Sequence, residues 1–246
     1  MKYTIFSCLF LILFSCNVKE QPLPQGNDSN TTTDSVAVVN DPTINLNVQM
    51  NSYTEIDSSA VLLFPLSVSE NEDRSGFTSR SYKSMPNDEY WNMAFLNTKT
   101  NEYHLLGENK MLISSYEYNV EGYEKVKALD QTIFYTIKTT DYNKDKLIND
   151  KDPTYLFITD KRGYGFKQIS PSNYHFIRWS YIDSCNKIIL TLKKDNNKDN
   201  LFDEKDETVM YDVAASFDKD AAEIFSVDFK NKLKVLFDRD WKRVKQ

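Results

Sequence analysis

Only two histidines occur among the 246 residues. Neither His104 nor His175 has a His or Cys partner at metal-ligand spacing, so a zinc-type centre has no frame. The six glycines form no phosphate-cradling loop, and no serine sits in a G-x-S-x-G turn, which removes the signatures of nucleotide binding and of a hydrolase nucleophile elbow. Basic charge is short as well: 30 Lys and Arg stand against 36 Asp and Glu, a net charge of −6 with pI near 5.1. No basic stripe is present to meet phosphates, so nucleic acid is not an expected partner. Paired carboxylates for glycoside chemistry stay open, because acidic residues are everywhere and their geometry is not legible in sequence.

Long apolar runs are lacking too. The one near the N-terminus, Ile5 through Phe14 behind Lys2, is too short to span a bilayer and has the n-region and h-region of a secretory signal. Leu13-Phe14-Ser15-Cys16 resembles a bacterial lipobox, in which the cysteine becomes the acylated first residue after cleavage. The resemblance implies a signal peptide over 1–15, lipid on Cys16 and anchorage to a membrane of the bacterial cell envelope, at the outer membrane or cell surface. Of the three cysteines, Cys8 then leaves with the signal and Cys16 carries lipid. Cys185 alone remains, no intramolecular disulfide is available, and Cys185 is expected to be a small buried or half-buried residue. Residues 16–45 are polar, Pro-containing and nearly devoid of aromatics, a flexible tether of roughly 30 Å as a random coil. Residues 46–246 make one domain of ordinary size.

What the chain does have is a repeated acidic pattern. Asp141 to Asp152 reads D-Y-N-K-D-K-L-I-N-D-K-D, and Asp195 to Asp206 reads D-N-N-K-D-N-L-F-D-E-K-D. Oxygen-bearing side chains fall at positions 1, 3, 5, 9 and 12 of each, an apolar residue at 8, and position 7 offers its carbonyl. This is the oxygen-rich ligand set that a hard cation takes, and both windows resemble EF-hand-like and dockerin-like calcium loops. The resemblance implies Ca2+ held at 141–152 by Asp141, Asn143, Asp145, the carbonyl of Leu147, Asn149 and Asp152. At 195–206 the ligands are Asp195, Asn197, Asp199, the carbonyl of Leu201, Asp203 and Asp206. Position 6, normally Gly because φ is positive there, is Asn200 in the second loop and Lys146 in the first, so the second is expected to bind more tightly. Position 12 is Asp in both, shorter than the usual Glu. The plainer reading is a pair of polar hairpin loops, since Asp and Asn are common turn formers. Against it, carboxylates packed this closely repel unless a cation neutralises them.

The remainder reads as all-β, short runs rich in β-branched and aromatic residues between polar turns. Strands are expected at 60–66, 91–97, 103–106, 111–118, 131–138, 154–159, 166–169, 176–181, 187–193 and 208–213. Each acidic loop then joins two strands, without the flanking helices of an EF-hand. Tyr155 to Ser170, Phe176 to Ser180 and Lys187 to Leu190 resemble the repeats of periplasmic β-propellers related to the Tol and WD40 families. Asp160, Gly163, Trp179, Ser180 and Asp183 stand at the matching places, and a weaker copy runs from Met93 to Leu106. The implied fold is a set of blade-like antiparallel β-meanders, propeller-like and incomplete on a count of about three units against the typical four to eight. A hidden blade at Thr54 to Ser69, an open array or sandwich, or a ring completed by two chains all remain open. From 227 to 244, Phe229, Leu233, Leu236, Phe237 and Trp241 recur on one helical face, with Ser226 as N-cap. That face is expected to pack on the sheet edge.

Three functions compete. The first is a non-catalytic calcium-binding envelope lipoprotein whose β surface binds a protein or glycan. The second is an extracytoplasmic hydrolase with structural calcium. The third is a calcium-dependent adhesion or assembly factor acting as a homo-oligomer.

Overall fold

The computed structural model describes residues 47–50, 52–57, 59–69, 89–120, 122 and 126–242. The expected signal peptide, Cys16 and its lipid, the whole tether and residues 243–244 of the expected helix lie outside the described residues. No helix among them is long and apolar enough to cross a membrane.

The protein is all-β with one C-terminal helix. Three antiparallel sheets follow one another along the chain. The first holds β1 (Asn47–Met50), β2 (Thr54–Ile56), β3 (Val61–Ser69), β4 (Asn92–Asn97) and β5 (Glu102–Leu105), in the order β1-β3-β4-β5 with β2 also pairing β3. The second holds β6 (Leu112–Glu117), β7 (Thr132–Lys138), β8 (Tyr155–Asp160) and β9 (Lys167–Gln168), and a four-residue helix α1 (Lys127–Asp130) precedes β7. The third holds β10 (Tyr174–Ile182), β11 (Lys187–Lys194), β12 (Glu207–Ala214) and β13 (Ala222–Glu223). Helix α2 (Val227–Asp240) closes the chain. All ten expected strands are present to within three residues at either end, whereas β1, β2 and β13 carry too little apolar pattern to be read from sequence.

The sheets stack face to face because the middle one is apolar on both sides. In β7, Ile133, Tyr135 and Ile137 enter a core shared with Leu63, Met93 and Phe95 of the first sheet. Phe134 between them enters a second core with Ile188, Leu190 and Leu192 of the third. In β8, Tyr155 and Phe157 take the first side and Leu156 and Ile158 the second. Adjacent strand residues point to opposite faces, so a two-sided sheet reads as an unbroken apolar run. In β11, by contrast, residues buried at Ile188, Leu190 and Leu192 alternate with half-buried ones, which marks a sheet covered on one side.

Turn chemistry sets the close approach of the first two sheets. β8 ends at Asp160, whose Oδ1 accepts from the N–H of Arg162 at 2.8 Å and of Tyr164 at 2.9 Å. Gly163 has φ +84°, and a Cβ there would sit 2.6 Å from the Phe95 ring. Both backbone conformation and space therefore demand glycine. Lys161, almost fully buried, ties the same two sheets by donating to Asp57, to Asn119 at 2.7 Å and to Asp130 at 3.4 Å.

Two expectations fail. Cys185 is exposed, because it lies in a short 3-10 turn, Asp183–Cys185, at the tip of the β10–β11 hairpin, outside the core. α2 buries none of its residues, so its apolar face does not pack on the sheet edge. The N-cap is as expected: Ser226 Oγ accepts from Phe229 N–H at 3.2 Å.

Candidate metal centres

The two acidic loops occupy matching places. Each joins the second strand of its sheet to the third, β7 to β8 and β11 to β12. The strand before each is apolar and paired on both edges, so the loop begins from a fixed stem. Backbone conformation then repeats position by position. Position 4 has positive φ in both, 61° at Lys144 and 61° at Lys198, and so does position 6, 72° at Lys146 and 63° at Asn200. Four left-handed residues at equal offsets, three of them Lys, are conformations that side chains other than Gly, Asn and Asp disfavour by roughly 1–2 kcal/mol each.

Side-chain oxygens hold this shape. In the first loop Asp141 accepts from Asp145 N–H at 3.1 Å and Lys146 N–H at 2.8 Å. Asn143 Oδ1 accepts from Asp145 N–H at 2.9 Å, and Asp145 Oδ1 accepts from Leu147 N–H at 3.0 Å. In the second loop Asp195 accepts from Lys198 N–H at 2.6 Å and Asn200 N–H at 3.1 Å. Asn197 Oδ1 takes Asp199 N–H at 2.9 Å, and Asp199 Oδ1 takes Leu201 N–H at 3.0 Å. Position 12 closes each loop. Asp152, 2% exposed, accepts from Tyr142 N–H at 2.8 Å and Asn149 N–H at 2.9 Å. Asp206, 8% exposed, accepts from Asn196 N–H at 3.3 Å and Asp203 N–H at 3.0 Å. The position-9 residues, Asn149 and Asp203, cap Lys151 N–H and Lys205 N–H at 2.8 Å each.

The donor set is oxygen only, which suits a hard cation such as Ca2+ and not a thiophilic one. Among the described residues no three His, Cys, Asp or Glu side chains gather as a ready-made cage. The carboxylates are turned to backbone N–H groups, and each, with about four lone-pair sites, keeps capacity for an ion. Hydrogen bonds hold two of them ionised. The Asn149 amide, then Leu147 N–H, lowers the Asp145 pKa below its ordinary value. Lys205 N–H and then its ammonium do the same for Asp203.

The loops are neighbours in space. The Tyr142 hydroxyl, at position 2 of the first, donates to Asp195 Oδ2 at 3.3 Å. Its ring lies 5.0 Å from that of Phe202, the apolar position 8 of the second. Burial first, then the Asp195 charge, raises the Tyr142 pKa. The His175 ring is 5.7 Å from Phe202, and its Nδ1 accepts from Thr154 N–H at 3.2 Å. Nothing in the linear spacing pointed to Tyr142 or His175, because their contacts cross from one sheet to the next.

A separate cleft of about 490 Å³ opens between the second and third sheets, lined by Ser115, Glu117, Phe134, Arg178, Trp179 and Ser180 among others. Trp179 stacks on Phe134 with centroids 4.6 Å apart. β-bulges next to Ser115 in β6 and Arg178 in β10 turn those strands at its wall, the re-aiming that an extra strand residue produces. Sequence reasoning missed this cleft, and only the Trp179-Ser180 pair had been singled out.

No protein-family model matches the chain, and no curated protein matches it in sequence.

Proposed function

We propose that this chain is a non-catalytic, calcium-binding lipoprotein of the bacterial cell envelope, anchored through lipid on Cys16, that presents its β surface to a protein or glycan. The observation that carries the calcium part is the duplicated loop. Two windows with the same oxygen pattern adopt the same strained backbone and bury the same position-12 carboxylate, in two sheets of different sequence. Ordinary polar hairpins have no reason to share left-handed lysines at position 4. Calcium ions would lock the tips of two β-hairpins and lend the exported domain stability that disulfides do not supply. The cleft with Trp179, Arg178 and Glu117 supports a glycan or peptide as ligand, because it joins an aromatic surface to a few polar groups.

Calorimetric titration with calcium tests the first part: two sites with heat and a higher melting temperature are expected, and a chain indifferent to chelator refutes it. Membrane fractionation of Cys16→Ala tests the anchor, with release expected and unchanged pelleting refuting it. The hydrolase reading draws on the same cleft. Among its described lining residues the carboxylate is Glu117, whereas glycoside hydrolysis takes a pair. A screen against glycans and esters, with and without chelator, separates the two.

A further inference from the structure

Helix α2 is tied at its start and, among the described residues, uncovered along its length. The Lys230 ammonium bonds Glu223 of β13, and the Phe229 ring stacks at 5.3 Å on Phe225 of the connecting segment. Beyond the first turn the apolar side chains face outward, with Phe237 59% and Trp241 74% exposed. At 3.6 residues per turn, Phe229, Leu233, Leu236, Phe237 and Trp241 fall within an arc of about 140°. Lys232 and Arg239 lie along one border of that arc and Lys234 along the other. Two charged residues fall inside it and are both paired: Lys230, bonded to Glu223, and Asp240, bonded by Arg239 at 2.6 Å.

Charge and area say what fits this face. The last 20 residues carry seven basic and three acidic side chains, +4, in a chain whose net charge is −6, leaving −10 for the rest. Basic and aromatic residues at this end of the chain are thus segregated in sequence from an acidic remainder. As a protein interface it is small: a helix of this length is about 21 Å long, so a stripe some 10 Å wide offers a few hundred Å², against ~800 Å² per partner in a stable complex. A bilayer needs no such minimum, and phosphates along the two borders satisfy long basic side chains whose stems stay in the apolar layer.

We propose that α2 lies flat on an anionic lipid bilayer, with its Phe and Trp side chains at the acyl boundary and its Lys and Arg side chains at phosphate level. The contact is independent of lipid on Cys16 and orients the domain, since the acidic remainder is repelled by the surface that the helix grips.

The test uses the full chain carrying Cys16→Ser, mixed with vesicles of phosphatidylglycerol and phosphatidylcholine bearing brominated acyl chains. Tryptophan quenching is expected with these vesicles, little with pure phosphatidylcholine, and none in Trp241→Phe, which keeps Trp91 and Trp179. The N-terminal apolar run is common to all variants and cannot produce a signal specific to Trp241. Lys232→Glu together with Lys234→Glu should weaken partition by about tenfold or more. Leu233→Asp, at an exposed position that leaves the sheets intact, should abolish quenching while the melting temperature stays put. Trp241 unquenched by anionic vesicles overturns the proposal. So does sedimentation showing a lipid-free dimer that Leu233→Asp dissociates, because the stripe is then covered by a second copy.

Discussion

The two acidic loops share a backbone yet rest on different ground. Beneath the first, Lys138 at the end of β7 is buried and donates to buried Glu89 and to Asp150 of the loop itself, at 3.0 Å each. Burial alone would lower the Lys138 pKa, but its bonds to Asp150 and Glu89 outweigh that and hold it above the ordinary value. Among the described residues the second loop has no such root. Its visible ion pair is Lys205 with Asp203, exposed and 3.3 Å apart, at a position expected to bind the ion. The first loop is therefore built into the fold. The second places more of its charge at the expected ion positions, with carboxylates there at 195, 199, 203 and 206 against 141, 145 and 152 in the first. Stability and calcium affinity should accordingly divide in opposite directions between them.

The largest effect expected is on the root. Glu89→Ala leaves Lys138 buried with only the exposed Asp150 as partner and should lower unfolding free energy by about 3 kcal/mol in urea titrations. Lys194→Ala, at the corresponding end of β11, should stay within about 0.5 kcal/mol. Equal losses would erase the distinction. Next come the proposed ligands: Asp195→Ala and Asp199→Ala should each reduce calcium affinity by calorimetry more than Asp141→Ala or Asp145→Ala, because affinity follows ligand charge. Intact chain in free calcium about 100 times the dissociation constant should gain about 2.7 kcal/mol per site.

A smaller effect separates strain from affinity. Lys146 already holds positive φ with its loop hydrogen bonds formed, so Lys146→Gly should raise stability by about 1 kcal/mol with or without calcium. Affinity should tighten only by removal of one positive charge. Asn200→Gly should change stability by a few tenths, since Asn tolerates this conformation. If Lys146→Gly destabilises the fold, position 6 is not strained as its φ implies.

The smallest expected effect lies where the loops meet. Burial, then Lys193 and Lys138, lower the His175 pKa below its ordinary 6.5. The folded state thus resists a proton that the unfolded chain accepts, so this contribution is full above about pH 6.5 and is lost as pH falls below it. Melting temperatures in chelator between pH 7.5 and 5.5 should decline less in His175→Gln than in the native chain.

Strands were legible because their signal is local. Ile133-Phe134-Tyr135 and Lys187-Ile188-Ile189-Leu190 announce themselves by β-branched and aromatic content, and the loops by oxygen spacing. Even the positive φ at Lys146 and Asn200 could be anticipated, since the loop pattern dictates where the chain must turn. The fate of α2 could not. An apolar stripe such as Phe229, Leu233 and Phe237 records that a helix has something to cover, without recording whether its own sheet reaches it. The same limit hid the exposure of Cys185, which stands in a short turn between two strands.

The residues by themselves determined ten of the thirteen described strands, the two acidic-loop windows, the capped C-terminal helix and the acidic balance, all of which rest on periodicity, turn chemistry or composition within a dozen positions. The tertiary structure alone decided that the second sheet is covered on both faces, that Lys138 roots one loop and not the other, that Tyr142 reaches Asp195 of the next sheet, and that α2 remains uncovered. Each of these depends on groups far apart in the chain meeting in space, and meeting is governed by how whole sheets stack, a property that no short stretch of sequence carries.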